Sequence, residues 1–173
     1  MQNITLTSPC LTSLKDHVLN NAEQYSRSTA GSFSEDNKTE EDWNVPRNYS
    51  TKDISDLFSY NFEVLLQNET EGLVKLLTLY EENDFLGWHT NSAVSGYNLI
   101  LTYSDNEESY FETESGKVYD TLGWSYKLNE FGETPLWHRA YSKGNRITVS
   151  MLFSSLEDRT QAIETIQNLE LDT

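Results

Sequence analysis

Three residues of this 173-residue chain have the types and spacing of a mononuclear metal site: His89, Asn91 and His138. A non-haem Fe(II) centre of the two-histidine, one-carboxylate kind takes its protein ligands on one face and leaves the other open. Two ligands separated by one residue point to the same side of an extended backbone. His89 and Asn91 stand in that relation in "GWHTNS", and "LWHRAY" supplies the second imidazole, His138, on a distant segment. The position that calls for a carboxylate therefore carries a neutral amide, a weaker donor to a divalent cation. On spacing alone the alternative stays open: two histidines satisfied at the edge of an aromatic core.

Other groups offer less. His17 lies on a polar stretch near the N-terminus and reads as solvated. Asp84, Asp105, Glu107 and Glu108 lack the two-residue spacing to His89, and solvated charge is the expectation for each. "SGK" at 115–117 has no upstream glycine of a phosphate loop, and no G-x-S-x-G elbow occurs. Trp88 and Trp137 each precede a candidate histidine, so strand alternation turns them away from any metal.

The elements that must position these residues change character along the chain. Residues 11–25 carry Leu14, Val18 and Leu19 at helical spacing, and 26–50 is polar, read as a long loop or a partly disordered segment. A helix is expected from a cap at Ser50 or Thr51, with Ile54, Leu57, Phe58, Phe62 and Leu65 forming an apolar stripe. Beyond Gly72 the period becomes that of strands: 73–80, 97–103, 109–114, 123–130, 136–142 and 146–153, separated by turn residues. A helix capped by Ser155 closes the chain. Helices followed by short strands describe an α+β chain whose second part is a sandwich or barrel.

Composition bounds the partners. The formal net charge is -16, from 28 acidic and 12 basic residues. Such a surface repels phosphate backbones, so nucleic acid is not an expected partner. A single cysteine, Cys10, suits a reducing compartment. No basic-then-apolar leader and no long apolar run is evident, so the expectation is a cytoplasmic protein without membrane association.

Several residues together carry a family resemblance. Tyr80 stands nine residues before His89, "GYNLILTY" follows, then His138, then "KGNRITVSMLF" with Arg146 opening the last strand. In this pattern Leu77–Phe153 resembles the double-stranded β-helix core of the 2-oxoglutarate/Fe(II)-dependent oxygenases, in their AlkB-type and prolyl-hydroxylase-like branches. The resemblance implies a jelly-roll core at 73–153, with N-terminal helices and loops (1–72) packed outside it and a C-terminal helix (154–173), all in one domain of residues 1–173. It implies Fe(II) and 2-oxoglutarate as cofactor and co-substrate, with His89, Asn91 and His138 at the metal. Arg146 would hold the distal carboxylate of 2-oxoglutarate, for which a guanidinium fork is suited, and Tyr80 would donate its hydroxyl to the same molecule. The implied activity is a dioxygenase, of the hydroxylase type, on a protein, peptide or small-molecule substrate.

Three features depart from the family pattern. Thr78 stands where the AlkB-type pattern has Asn, and Arg146 follows His138 by eight residues, a tighter turn than usual. Asn91 is the third. Its carbonyl can ligate, the site can work with two histidines as in halogenating relatives, or the chain can have kept only the fold. The last outcome would make it a non-catalytic binding or structural module. A cupin-like or lectin-type binder is a further alternative, for which the aromatic content speaks.

Overall fold

The computed structural model describes residues 4–6, 9–33, 45–52, 74–90 and 95–171. Asn91 lies outside them, as do 34–44 and nearly all of the helix expected after Ser50. Eleven strands occur among the described residues: β1 (Ile4–Leu6), β2 (Ser26–Ala30), β3 (Arg47–Lys52), β4 (Val74–Tyr80), β5 (Phe85–His89), β6 (Gly96–Ser104), β7 (Tyr110–Thr113), β8 (Gly116–Tyr119), β9 (Gly123–Phe131), β10 (His138–Tyr141) and β11 (Arg146–Phe153). Helix α1 spans Pro9–Asn20 and α2 spans Leu156–Leu171.

All pairings are antiparallel, and their order shows how the chain winds. β9-β6-β11-β4 form one half and β5-β10-β7-β8 the other. Consecutive strands from β4 onward mostly fall in opposite halves, so the chain coils back and forth as a jelly roll. β3 bridges the halves, its first residues pairing with β5 and its last with β4. β2 pairs along β3, and β1 extends the first half beyond β9.

Three expectations are corrected here. Ser26–Ala30 and Arg47–Lys52 are strands rather than loop, and Ser50 and Thr51 sit on β3 rather than capping a helix. The reason is pairing: the polar side chains of β2 and β3 hide the strand pattern, but their backbones complete the sheet. Arg27 on β2 then forms a two-pronged bond to Asp84, at 2.6 and 2.7 Å. Asp84 is thus buried and also accepts the Glu81 amide, where solvated charge was expected.

Alternation divides the first half into two unlike faces. Leu77, Leu79, Leu99, Leu101, Trp124, Tyr126, Ile147, Val149 and Met151 pack outward against Leu11, Leu14 and Val18 of α1 and Ala162 of α2. The apolar core therefore lies between sheet and helices. Ser155 caps α2 by accepting the Asp158 amide through its hydroxyl, at 3.1 Å.

The opposite face is polar. Across it Ser125, Thr102, Thr148 and Thr78 stand opposite one another on β9, β6, β11 and β4. Arg146, Lys127, Asn98 and Asn129 share this face, and all are buried. Among the described residues the sandwich interior is lined by these polar groups together with apolar ones such as Ile100, Phe111 and Phe131, around a cavity.

Candidate metal and anion site

Both halves contribute to a cavity of ≈ 500 Å³. Tyr80 and Thr78 reach it from β4, His89 from β5, His138 from β10, and Arg146, Thr148 and Ser150 from β11. Four residues singled out in the sequence, Tyr80, His89, His138 and Arg146, thus meet at one cavity.

The histidines are brought together by strand register. His138 on β10 stands directly opposite His89 on β5, and their rings lie 4.0 Å apart between centroids. Each places its Nδ1 2.8 Å from the carbonyl two residues earlier: His89 on Gly87, His138 on Leu136. A carbonyl only accepts, so Nδ1 must be the protonated nitrogen and Nε2 carries the lone pair. This is how metal-binding histidines are held in other proteins, with the second nitrogen fixing tautomer and ring angle. Phe111 and Phe131 both stack on His138, at 5.5 Å each. Burial, aided by the neighbouring His89, pulls the His138 pKa down to about 3. The imidazole is therefore neutral, the form a metal requires.

The two histidines fit a divalent metal in donor type and tautomer, and His138 in protonation as well. Among the described residues no group of three or more His, Cys, Asp or Glu side chains gathers at one point. Asp84, the nearest acidic residue before His89 in the sequence, is held by Arg27 instead.

The opposite end of the constellation is built by β4 and β11. Arg146 pairs in register with Tyr80, and its guanidinium lies 5.3 Å from the ring centroid. Tyr49 from β3 packs against Tyr80 with the rings tilted, 5.8 Å between centroids. Burial pushes the Tyr80 hydroxyl pKa up, against the pull of Arg146, so it remains a proton donor. Arg146 is 1% exposed. Its Nε donates to Asp120 Oδ2 at 2.7 Å, and no other hydrogen bond of its guanidinium is found among the described residues. The other carboxylate oxygen of Asp120 accepts from Lys127 Nζ at 3.2 Å. Burial lowers the Lys127 pKa to about 8, opposed by Asp120.

Asp120 and Lys127 escaped the sequence reading, as did Arg47 at the cavity wall. Lys127 left one signal: in "WSYKLNE" it alternates with Trp124, Tyr126 and Leu128, which places it on the face opposite the core. The lining holds arginines and no carboxylate among the described residues. One of these arginines, Arg139, turns away from the cavity, pairing with Glu112 at 2.6 Å and stacking on Trp88 at 4.9 Å. Trp88 lies on that same outer face, as alternation requires.

No family model matches the sequence, and no curated protein matches it. Solved structures do. A prolyl hydroxylase from Trichoplax adhaerens, in complex with a hypoxia inducible factor oxygen degradation domain peptide fragment, is similar over 93% of this chain and 84% of that one. The TM-score is 0.53 at 13% identity. A Pseudomonas putida prolyl-4-hydroxylase matches with a TM-score of 0.47 and 12% identity, over 86% of this chain and 88% of that one. A predicted oxalate decarboxylase from Thermotoga maritima gives 0.42 and 9%, over 76% and 92%. The fold is a cupin-like, double-stranded β-helix. At these identities the likeness extends to the fold alone.

Proposed function

We propose that the cavity holds one divalent metal, Fe(II), and 2-oxoglutarate, and that the protein is a dioxygenase of the hydroxylase type. The observation that carries this reading is the pair of cross-strand histidines, each with Nδ1 on a backbone carbonyl and Nε2 as the lone-pair nitrogen. His89 and His138 would hold the metal, with Asn91 supplying its amide oxygen. Arg146 would take the distal carboxylate of 2-oxoglutarate, and Tyr80 would donate its hydroxyl to the same group. When bound, the iron supplies oxygen activation coupled to decarboxylation of the co-substrate.

The chain's own residues supply the rest. Phe111 and Phe131 fix the His138 ring and keep water from it. Thr78, Thr148 and Ser150 offer hydroxyls along the wall between the two ends. A peptide is the substrate class favoured here, because the Trichoplax adhaerens structure of the same fold holds one.

The test is an anaerobic titration of Fe(II) into the protein with and without 2-oxoglutarate, followed by succinate measurement in air. One equivalent of iron should bind, and His89→Ala or His138→Ala should lower metal affinity at least about tenfold, the lower end of what a ligand's outer-shell partner alone is worth. Failure of the wild type to retain iron would overturn the reading. A second reading, a non-catalytic module that binds an anion, is favoured by Asn91 itself. It is supported if 2-oxoglutarate binds without metal and no succinate forms.

A further inference from the structure

The anion end of the cavity has an oddity. An arginine already paired with an aspartate is nearly neutral as a unit and makes a poor anion receptor. Arg146 is in that position, since Asp120 accepts from its Nε at 2.7 Å. A third charge corrects the balance. Lys127 Nζ lies 3.2 Å from the other Asp120 oxygen, and both of those side chains are 0% exposed. Counting formal charges, Arg146 and Lys127 against Asp120 leave one positive charge behind the cavity wall.

We propose that Lys127 and Asp120 are positioning residues that set the anion affinity of the cavity. Asp120 holds Arg146 by its Nε edge, which leaves the two Nη groups for a ligand carboxylate. Lys127 cancels the charge that Asp120 would otherwise take from the guanidinium. Neither residue lines the cavity, so neither touches the ligand. The class of ligand selected is a carboxylate whose single negative end matches the single excess positive charge. This inference rests on reading the cavity as an anion site, and deepens it.

The arrangement is built into the strands. Lys127 stands opposite Ile100 on β6, which brings no charge. Asp120 enters from the β8–β9 connection, where its amide donates to the Ser109 carbonyl at 2.8 Å. Among the described residues the charged groups acting on Lys127 are Asp120 and Arg146. Across the cavity His138 is neutral. Loss of the Lys127 proton would therefore remove the surplus charge at the Arg146 end of the cavity, while Arg47 on the cavity wall keeps its own. Since burial holds that proton less tightly than in water, the loss falls near pH 8.

Binding of two probes tests this by calorimetry on the full chain from pH 6.5 to 9.5: 2-oxoglutarate with Mn(II), and succinate without metal. In the wild type, affinity for both should fall as pH rises through about 8. Lys127→Met should bind each about tenfold more weakly at pH 7, the size of one buried charge at this range, with a flat pH profile. Lys127→Arg should restore the affinity and remove the fall near pH 8, because its charge does not titrate there. Equal affinities and profiles in wild type and Lys127→Met would overturn the proposal. Should Lys127→Met not fold, a wild-type affinity independent of pH would overturn it equally. Succinate binding that behaves as described, with no metal-dependent binding of 2-oxoglutarate, would support this inference while defeating the dioxygenase reading. Absence of binding by either probe would defeat both.

Discussion

At the scale of single residues, the buried triad of Asp120, Lys127 and Arg146 sets the balance between stability and affinity. Removing the one anion leaves two buried cations facing each other. Asp120→Asn is therefore expected to lower unfolding free energy by about 3–5 kcal/mol, measured by urea denaturation. Lys127→Met removes the surplus cation and leaves a neutral pair, so its stability should equal or exceed that of the wild type. The pH dependence follows in sign. Lys127 in the folded state has a pKa of about 8 against an ordinary value of 10.5. Between those values the unfolded chain binds more protons, so stability rises with pH across that window. The rise should be smaller in Lys127→Met when the two are compared from pH 8 to 10.5. Asp120 behaves oppositely placed: its folded pKa is lowered, burial being outweighed by Arg146 and Lys127. Its contribution is present above the ordinary carboxylate range and is lost as pH falls through the folded value.

At the scale of elements, each strand of the first half serves two environments through period two. β11 turns Ile147, Val149 and Met151 to the helices and Arg146, Thr148 and Ser150 to the cavity. The strand is thereby anchored by apolar packing on one side, which fixes register for the functional side chains on the other. α1 is the cover of that apolar side, with Leu14 2% exposed. Leu14→Ala should cost about 2–5 kcal/mol by loss of transfer energy and the cavity left behind, read as a lower urea midpoint with an unchanged m-value. In the turn before β11 a side chain at Gly144 would meet the Asp105 carboxylate, which would have to shift to make room. That turn carries Arg146 to its place beside Tyr80.

At the scale of the whole molecule, the apolar core and the candidate site lie on opposite faces of one sheet. The helices cover the outer face, so the interior of the sandwich is free to be polar and open. Such an interior is expected to be less stable than a filled one. Thr148→Val, which removes one cavity hydroxyl and keeps the volume, should leave melting temperature equal or raised while weakening 2-oxoglutarate binding. Thermal denaturation and calorimetry on the same variant check both halves of that statement. The second half of the sheet differs, since it contributes the histidines inward and carries Trp88 and Arg139 on its outer face.

Most strands from β4 onward were legible in the sequence as apolar-rich runs between turn signals, and "RITVSMLF" coincides with β11 residue for residue, whereas β5 and β8 were not read as strands. His89 and His138 were legible as candidates from residue type and spacing, and Tyr80 and Arg146 from the family resemblance. β2 and β3 were not, because their side chains are polar and only backbone pairing makes them strands. Alternation also could not say which face was inside. A polar stripe on a strand ordinarily faces water, and only the winding of the two halves turned this one inward. Asp120 and Lys127 acquired their role from the same winding, which drives a loop carboxylate between two strand cations. The residue types and their period were fixed by the chain itself. Which polar groups share a water-poor space, and so interact strongly, was decided by tertiary structure alone.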